Sequence, residues 1–369
     1  MPLQELPNEI LLAIASSLDS EADINSFSCI NHQLHNLLTP FLYEYNVTHS
    51  DGSALRWAGE KGQLSTARRA LDAGAQFRAT YQTLGLDVSF LGEVIFSGSK
   101  EVFELLLEHI ASTSAPGTAD LNIHNALVAK DVHLWTPLLF AAAYGHPDIV
   151  RIILKKGIDP NTTDSVGRTP LFLACAAGET DCVDALLEHP NIDTDTPDDE
   201  GTTPIFEAVR EKNVDMVVAL LARGASPGHP LNPHVETPLH RAVLNQHREM
   251  MQLLIGRDDV HPNAIFDNYT PLEFAVHSGF EDGVELLLSD KRTNPDLNVI
   301  PDGGTPLFWA LVHGHERMVK LLLDAGANRN ICNWQWISPA MLMEIPDVKA
   351  RGALLDQKRS VTSLPLRSK

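Results

Sequence analysis

One dipeptide, recurring at a nearly fixed interval, limits this chain more than any other feature. Thr-Pro stands at Thr136-Pro137, Thr169-Pro170, Thr203-Pro204, Thr237-Pro238, Thr270-Pro271 and Thr305-Pro306, and Ser338-Pro339 continues the series, with steps of 33, 34, 34, 33, 35 and 33 residues. A period of that length marks a stacked repeat architecture, in which no repeat hides its apolar face alone and each lends its neighbours a shared core. An array of that kind also explains how 369 residues fold without one enlarging globular core.

The residues around each pair fit a helix–turn–helix repeat. Thr caps the first helix by accepting from an orphan backbone N–H, and Pro occupies the first helical position, where its missing donor costs nothing. Small residues follow at Ala141, Ala174, Ala208, Ala242, Ala275 and Ala310, letting neighbouring helices approach closely. Gly145, Gly178, Gly279 and Gly314 then turn the chain, since glycine adopts positive φ cheaply. The second helix carries apolar residues three and four apart, as in Val183, Leu186 and Leu187. Lys212 and Gln246 replace the turn glycine, which predicts local distortion in those two repeats. Weaker copies begin at Leu55 and Leu91, and residues 111–130, with Ser-Thr-Ser-Ala-Pro-Gly, read as a flexible inserted loop. The array then spans residues 51–355 in about nine repeats, the last from Ser338 to Leu355 a cap, and 356–369 is a basic disordered tail.

The Thr-Pro-Leu pattern, the glycine and the closing Leu-Leu together resemble ankyrin repeats. The resemblance implies an all-α solenoid of helix–turn–helix repeats with short β-hairpin tips. It also implies a client-binding groove lined by the tips and the exposed side of each first helix. The helix positions so implied are Phe140, Tyr144, Leu173, Glu207, Arg210, Arg241, Asn245, Phe274, His277, Trp309 and His313, and the tip positions are Trp135, Asp199, Glu236, Tyr269, Trp334 and Trp336. Aromatic and Arg side chains serve as interface anchors because they bury much area with few rotors. Phe140, Phe274 and Trp309 equally suit packing between repeats.

Residues 1–47 follow another pattern, with three short helices: Ile10, Leu11, Ile14 and Leu18 on one face after Pro7; Ile24, Phe27 and Ile30; and Leu34, Leu37, Leu38 and Phe41. The run Leu6-Pro7-Asn8-Glu9-Ile10-Leu11 followed by Ile14 and Leu18 resembles an F-box, and Leu42 to Val47 resembles the end of that module in fungal F-box/ankyrin-repeat proteins. The F-box resemblance implies docking on the Skp adaptor of a cullin-RING ubiquitin ligase through Leu6, Pro7, Ile10, Leu11, Ile14 and Leu18. The same side chains also suit a plain cap on the first repeat.

Charge and composition narrow the remaining classes. Lys and Arg total 28 against 48 Asp and Glu, a formal charge of -20, which disfavours direct contact with nucleic acid and favours basic protein surfaces. Cys29, Cys175, Cys182 and Cys332 are scattered without metal or disulfide spacing. Acidic residues flank the early apolar run and no apolar stretch is of spanning length, so cytosol or nucleus is expected and no membrane. No Cys-x-x-Cys or H-E-x-x-H motif and no phosphate loop occurs, so no metal and no cofactor are expected. Gly224-Ala225-Ser226-Pro227-Gly228 matches the spelling of a nucleophile elbow, which needs a strand before it; a helical run precedes it here. Asp198-Asp199-Glu200-Gly201 has the composition of a repeat tip.

The expectation is a non-enzymatic protein-binding adaptor: the substrate-recognition subunit of an SCF-type cullin-RING ligase, its F-box on the Skp adaptor and its groove on a client. The alternative is a regulatory scaffold or transcription coregulator without a ligase role.

Overall fold

The computed structural model describes residues 8–16, 32–49, 53–75, 80–83, 86–131, 133–228, 235–297, 304–333, 337–349 and 351. The chain divides into two compact halves, Met1–Ile192 and Asp193–Lys369.

In the N-terminal half, α1 (Asn8–Ser16) lies against α2 (His32–His49), and α2 packs on both helices of the first repeat, α3 (Ser53–Lys61) and α4 (Leu64–Asp72). Asn46 fixes that junction, its buried side-chain oxygen accepting from the Ala54 N–H at 2.9 Å. An antiparallel hairpin, β1 (Thr80–Thr83) and β2 (Leu86–Ser89), pairs Thr80 with Ser89 and Thr83 with Leu86. It leads into α5 (Phe90–Phe96) and α6 (Lys100–Thr113); then come α7 (Ala119–Val128) and the pairs α8 (Pro137–Ala143) with α9 (Pro147–Lys155), and α10 (Pro170–Ala177) with α11 (Thr180–Leu187).

The C-terminal half repeats the pattern with α12 (Pro204–Arg210) and α13 (Val214–Ala222), α14 (Pro238–Leu244) and α15 (Arg248–Leu254), α16 (Pro271–His277) and α17 (Glu281–Ser289), α18 (Pro306–His313) and α19 (Glu316–Asp324), ending at α20 (Pro339–Met343). Within each half, first helices stack on first helices and second helices on second. The alanines explain the close approach: Ala141, Ala174, Ala208, Ala242, Ala275 and Ala310 are all fully buried. Leucines and isoleucines such as Leu138, Leu171, Ile205, Leu239, Leu272 and Leu307 fill the interior between repeats, each stabilising by roughly 1.5–3 kcal/mol.

The Thr-Pro pairs act as helix starts. The side chains of Thr136, Thr169, Thr237, Thr270, Thr305 and Ser338 each accept from the backbone N–H three residues on. Thr270 goes further, since Glu273 reaches back to its backbone N–H at 2.8 Å and completes a capping box. Thr203 is the exception: it precedes α12, makes no such bond, and its buried hydroxyl has no hydrogen-bond partner among the described residues.

The distortion expected at Lys212 and Gln246 does not occur. Both adopt the left-handed conformation that Gly178 adopts, with φ of 60° and 52° against 77°. The loop bonds are likewise kept: Asn213 N–H donates to Ala208 at 3.1 Å and His247 N–H to Ala242 at 3.0 Å, as Glu179 N–H does to Ala174 at 2.9 Å. Stacking against both neighbours holds the turn, so the strain stays in one residue's backbone.

The inserted segment 111–130 is also unlike the flexible loop expected. The end of α6 and α7 together occupy most of it, and α7 buries Ile123, Ala126 and Leu127. The link from Ser114 to Thr118 is irregular, and Asn122 Nδ2 donates across it to Ser114 Oγ at 2.8 Å. The Ser, Pro and Gly that suggested a loop mark a turn between α6 and α7, and the apolar residues three and four apart beyond it form a helix.

The repeat tips are turns built on a carboxylate or amide. Asp131 accepts from His133 and Trp135, Asp164 from Val166 and Arg168, Asp198 from Glu200 and Thr202, and Asn333 from Ile337. These four are side-chain-nucleated turns, whereas the tip before α5 is the paired β1–β2 hairpin and the tip before α16 is closed by a bridge between Phe266 and Tyr269. At the N-terminus, α2 runs on through Pro40 to His49. The helix expected around Ile24, Phe27 and Ile30 lies outside the described residues, as does the tail 356–369.

Candidate functional site

In the N-terminal half, the cap at Thr136 starts α8 so that Phe140 and Tyr144, four residues apart, share a face. Trp135 meets Phe140 edge-on at 4.9 Å, Phe140 stacks with Tyr144 at 6.2 Å, and Tyr144 meets Phe96 of α5 edge-on at 4.9 Å. The Arg168 guanidinium lies 6.0 Å from the Trp135 ring centre and is held by buried Asp164 at 2.7 Å. Phe140 itself is only 9% exposed. Its ring presses on α5 where a Cβ at Gly92 would approach within 3.1 Å, so Phe140 is a packing residue. Leu173 is buried in a cluster with Leu139 and Phe172. The accessible part of this face is the edge formed by Tyr144 and Phe96, both exposed.

In the C-terminal half, the fourth residue after each Thr recurs on one face: Glu207 on α12, Arg241 on α14, Phe274 on α16 and Trp309 on α18. The first two form a charged stretch. Glu207 pairs with Arg210, and Arg241 pairs with Glu236 of the preceding tip. The Arg241 guanidinium also lies 5.6 Å from the Phe206 ring centre, and Asn245 Nδ2 donates to the Val209 carbonyl at 3.3 Å, tying α14 to α12. Glu207 is 3% exposed and Glu236 9%. Burial raises both carboxyls above their ordinary range even though Arg210 and Arg241 pull the other way. Three buried atoms here find no aligned hydrogen bond: Glu236 Oε1, Arg241 Nε and Glu207 Oε2, the last meeting Arg210 only as a charge.

Beyond the charges lies a group of rings. Tyr269 meets Phe274 at 5.1 Å and His277 at 5.4 Å; His277 meets Trp309 at 4.9 Å and His313 at 5.3 Å; Trp309 stacks with His313 at 5.9 Å. His313 Nε2 and His277 Nδ1 are 3.2 Å apart and share a hydrogen. Burial, with His313 adding to it, lowers His277 to about 4, and burial together with His315 lowers His313 as well. Near neutral pH these imidazoles are uncharged, and the group presents flat, amphipathic ring surface.

The remaining predicted positions divide plainly. On α1, Leu11 is fully buried, Ile14 is half-buried and Ile10 is 47% exposed; Leu6, Pro7, Leu18, Trp334 and Trp336 lie outside the described residues. Asp199 is exposed at its tip. Two exposed aromatics escaped the sequence reading, Trp57 on α3 and Phe96 on α5. Aligning Leu55-Arg56-Trp57-Ala58 on Leu138-Leu139-Phe140-Ala141 places Trp57 at the Phe140 position, so its signal lay in the weaker copies.

Ser226 sits in the loop after α13, where its N–H donates to Asp195 Oδ1 at 2.9 Å. Among the described residues no three His, Cys, Asp or Glu side chains are grouped to hold a metal, and no helix is long and apolar enough to cross a membrane.

Comparison with known proteins gives the same repeat. A model for three-copy ankyrin repeats matches residues 55–164, 161–230 and 228–300, and a single-repeat ankyrin model matches 302–334. The potassium channel AKT1 of Arabidopsis thaliana is 37% identical over 86 residues, 23% of this chain and 10% of the channel. The probable E3 ubiquitin-protein ligase XBOS33 of Oryza sativa subsp. japonica is 48% identical over 52 residues, 14% of this chain and 10% of that protein. The chain thus spans about a tenth of the length of these relatives. A crystal structure of the human ASB11 ankyrin repeat domain aligns at 29% identity and a TM-score of 0.48, covering 60% of this chain and 97% of that one.

Proposed function

The chain belongs to the ankyrin-repeat family and is a protein-binding scaffold, and on that premise we propose that it is the client-recognition subunit of an SCF-type cullin-RING ubiquitin ligase. In this reading α1 docks a Skp-type adaptor and the first-helix faces hold a client. The observation that carries it is the division of α1, in which Leu11 and Ala15 are sealed inside while Ile10 beside them stays 47% exposed. An apolar side chain is thus offered outward at a position the F-box resemblance gives to the adaptor, together with Leu6, Pro7, Ile14 and Leu18. The likeness to a protein named as a probable E3 ligase is consistent with this.

The chain makes no bond in this role. It raises the effective concentration of client lysines beside the ubiquitin-charged enzyme, as tethering does generally. Co-purification tests the reading. Full-length protein retains a Skp-type adaptor and Ile10→Glu loses it. Failure of the full-length protein to retain the adaptor, under conditions where a known F-box protein does, removes the ligase role and leaves the regulatory scaffold or coregulator, with α2 serving only as the cap of the first repeat.

A further inference from the structure

The C-terminal half holds buried carboxylates whose bonding is incomplete, next to a row of rings on the same face. Around Glu207 the charges are Glu207, Glu236, Asp198 and Glu211 against Arg210 and Arg241, so acid exceeds base. Glu207 and Glu236 are each more than nine-tenths buried, yet among the described residues Glu236 Oε1 finds no donor and Glu207 Oε2 meets Arg210 without an aligned hydrogen bond. A buried acceptor without a donor is costly, and a charged donor recovers that cost most fully. One repeat beyond Glu236, and two beyond Glu207, stands Phe274, and one repeat further Trp309, within the ring group of Tyr269, His277 and His313.

We propose that this face receives an extended client segment whose Arg or Lys seats at Glu207 and Glu236 and whose apolar side chain rests on the rings of Phe274 or Trp309. The two anchors set a spacing. Packed helices stand about 8–10 Å apart, and an extended chain advances about 3.3 Å per residue, so each repeat corresponds to about three client residues. Counted from Glu236, the apolar residue therefore falls about three positions from the basic one when it meets Phe274, and about six when it meets Trp309. Arg241 swings from Glu236 towards the Phe206 ring, which it already faces, and so opens the carboxylate to the incoming cation. The overall acidity of the chain, -20 formally, favours the encounter with a basic segment. This inference rests on the reading of the repeats as a client-binding face and not on the adaptor.

Peptide arrays test it. Ten-residue peptides with one fixed Arg, one fixed Trp, Phe or Leu placed two to seven residues away, and mixed residues elsewhere are incubated with the full-length protein. Binding is strongest at separations of about three and about six. It falls about tenfold or more when Gln replaces Arg, and Glu236→Gln, checked for unchanged helix content, weakens the Arg peptides by a similar factor while leaving the Gln peptides unaffected. Binding that ignores the Arg, prefers Asp or Glu, or shows no dependence on spacing overturns the proposal. Adaptor capture is measured on the same preparation: peptides that fail while the adaptor is retained overturn this inference alone, and peptides that bind while the adaptor is lost overturn only the ligase reading.

Discussion

His240 of α14 donates its Nε2 hydrogen to the carbonyl of Tyr269, 3.2 Å away at the tip of the next repeat, while its Nδ1 accepts from the Thr237 hydroxyl at 2.8 Å. The ring is fully buried and both nitrogens are used, so only the neutral form fits. Burial lowers its pKa to about 4 although the backbone contacts raise it.

That link makes stability depend on pH. The unfolded chain binds a proton at His240 near 6.5 and the folded chain only near 4, so the contribution is complete above the unfolded value and is lost as pH falls between the two. From about pH 7.5 to about pH 5 the loss is roughly 2 kcal/mol. His277 and His313 add to the total, so urea unfolding at both pH values compares wild type with His240→Phe, which flattens the dependence by about that amount at some cost in overall stability.

Lys212 and Gln246 hold a left-handed turn that Gly178 holds without strain. Lys212→Gly and Gln246→Gly therefore stabilise the C-terminal half by about 0.5–1 kcal/mol each, the relief of strain exceeding the added freedom of the unfolded chain. Thermal melts show the rise in Tm, and a fall for both variants contradicts the assignment of strain.

The seven caps are not equivalent. Thr169 accepts from Phe172 N–H at 3.1 Å, whereas the Thr203 hydroxyl is buried and unbonded. Thr169→Val costs about 1 kcal/mol. Thr203→Val, which keeps the shape and removes a polar group that has no partner, is neutral or stabilising. Equal losses in denaturant titrations would show that Thr203 caps its helix after all.

Leu127 on α7 is fully buried, so Leu127→Ala costs about 2–5 kcal/mol. A surface loop would lose no more than about 0.5 kcal/mol, and chemical denaturation separates the two.

What the sequence revealed follows the physics of repetition. Thr-Pro, the alanine four residues beyond the Pro and the closing leucines each solve a local problem identically in successive repeats, so copying made them visible. Lys212 gave the wrong signal because a stack can hold a turn that the residue itself disfavours. The α7 helix was hidden because its period-3.6 pattern starts behind a Ser-Pro-Gly turn and occurs once. The face residues were partly legible: Glu207, Arg241, Phe274 and Trp309 fall at one register position. The reach of Phe140 onto Gly92 depends on a contact between residues far apart in the chain, and the pairing of Arg241 with Glu236 rather than Glu207 on how the tip before α14 folds back.

The central claim is that α1 delivers what the repeats hold to a ubiquitin ligase. Client lifetime, followed by quantitative mass spectrometry in cells carrying either the wild-type chain or Ile10→Glu, tests it most directly. The account predicts that the variant still captures the same client and that the client now persists several times longer. A client that is captured equally and turned over equally by both proteins contradicts it.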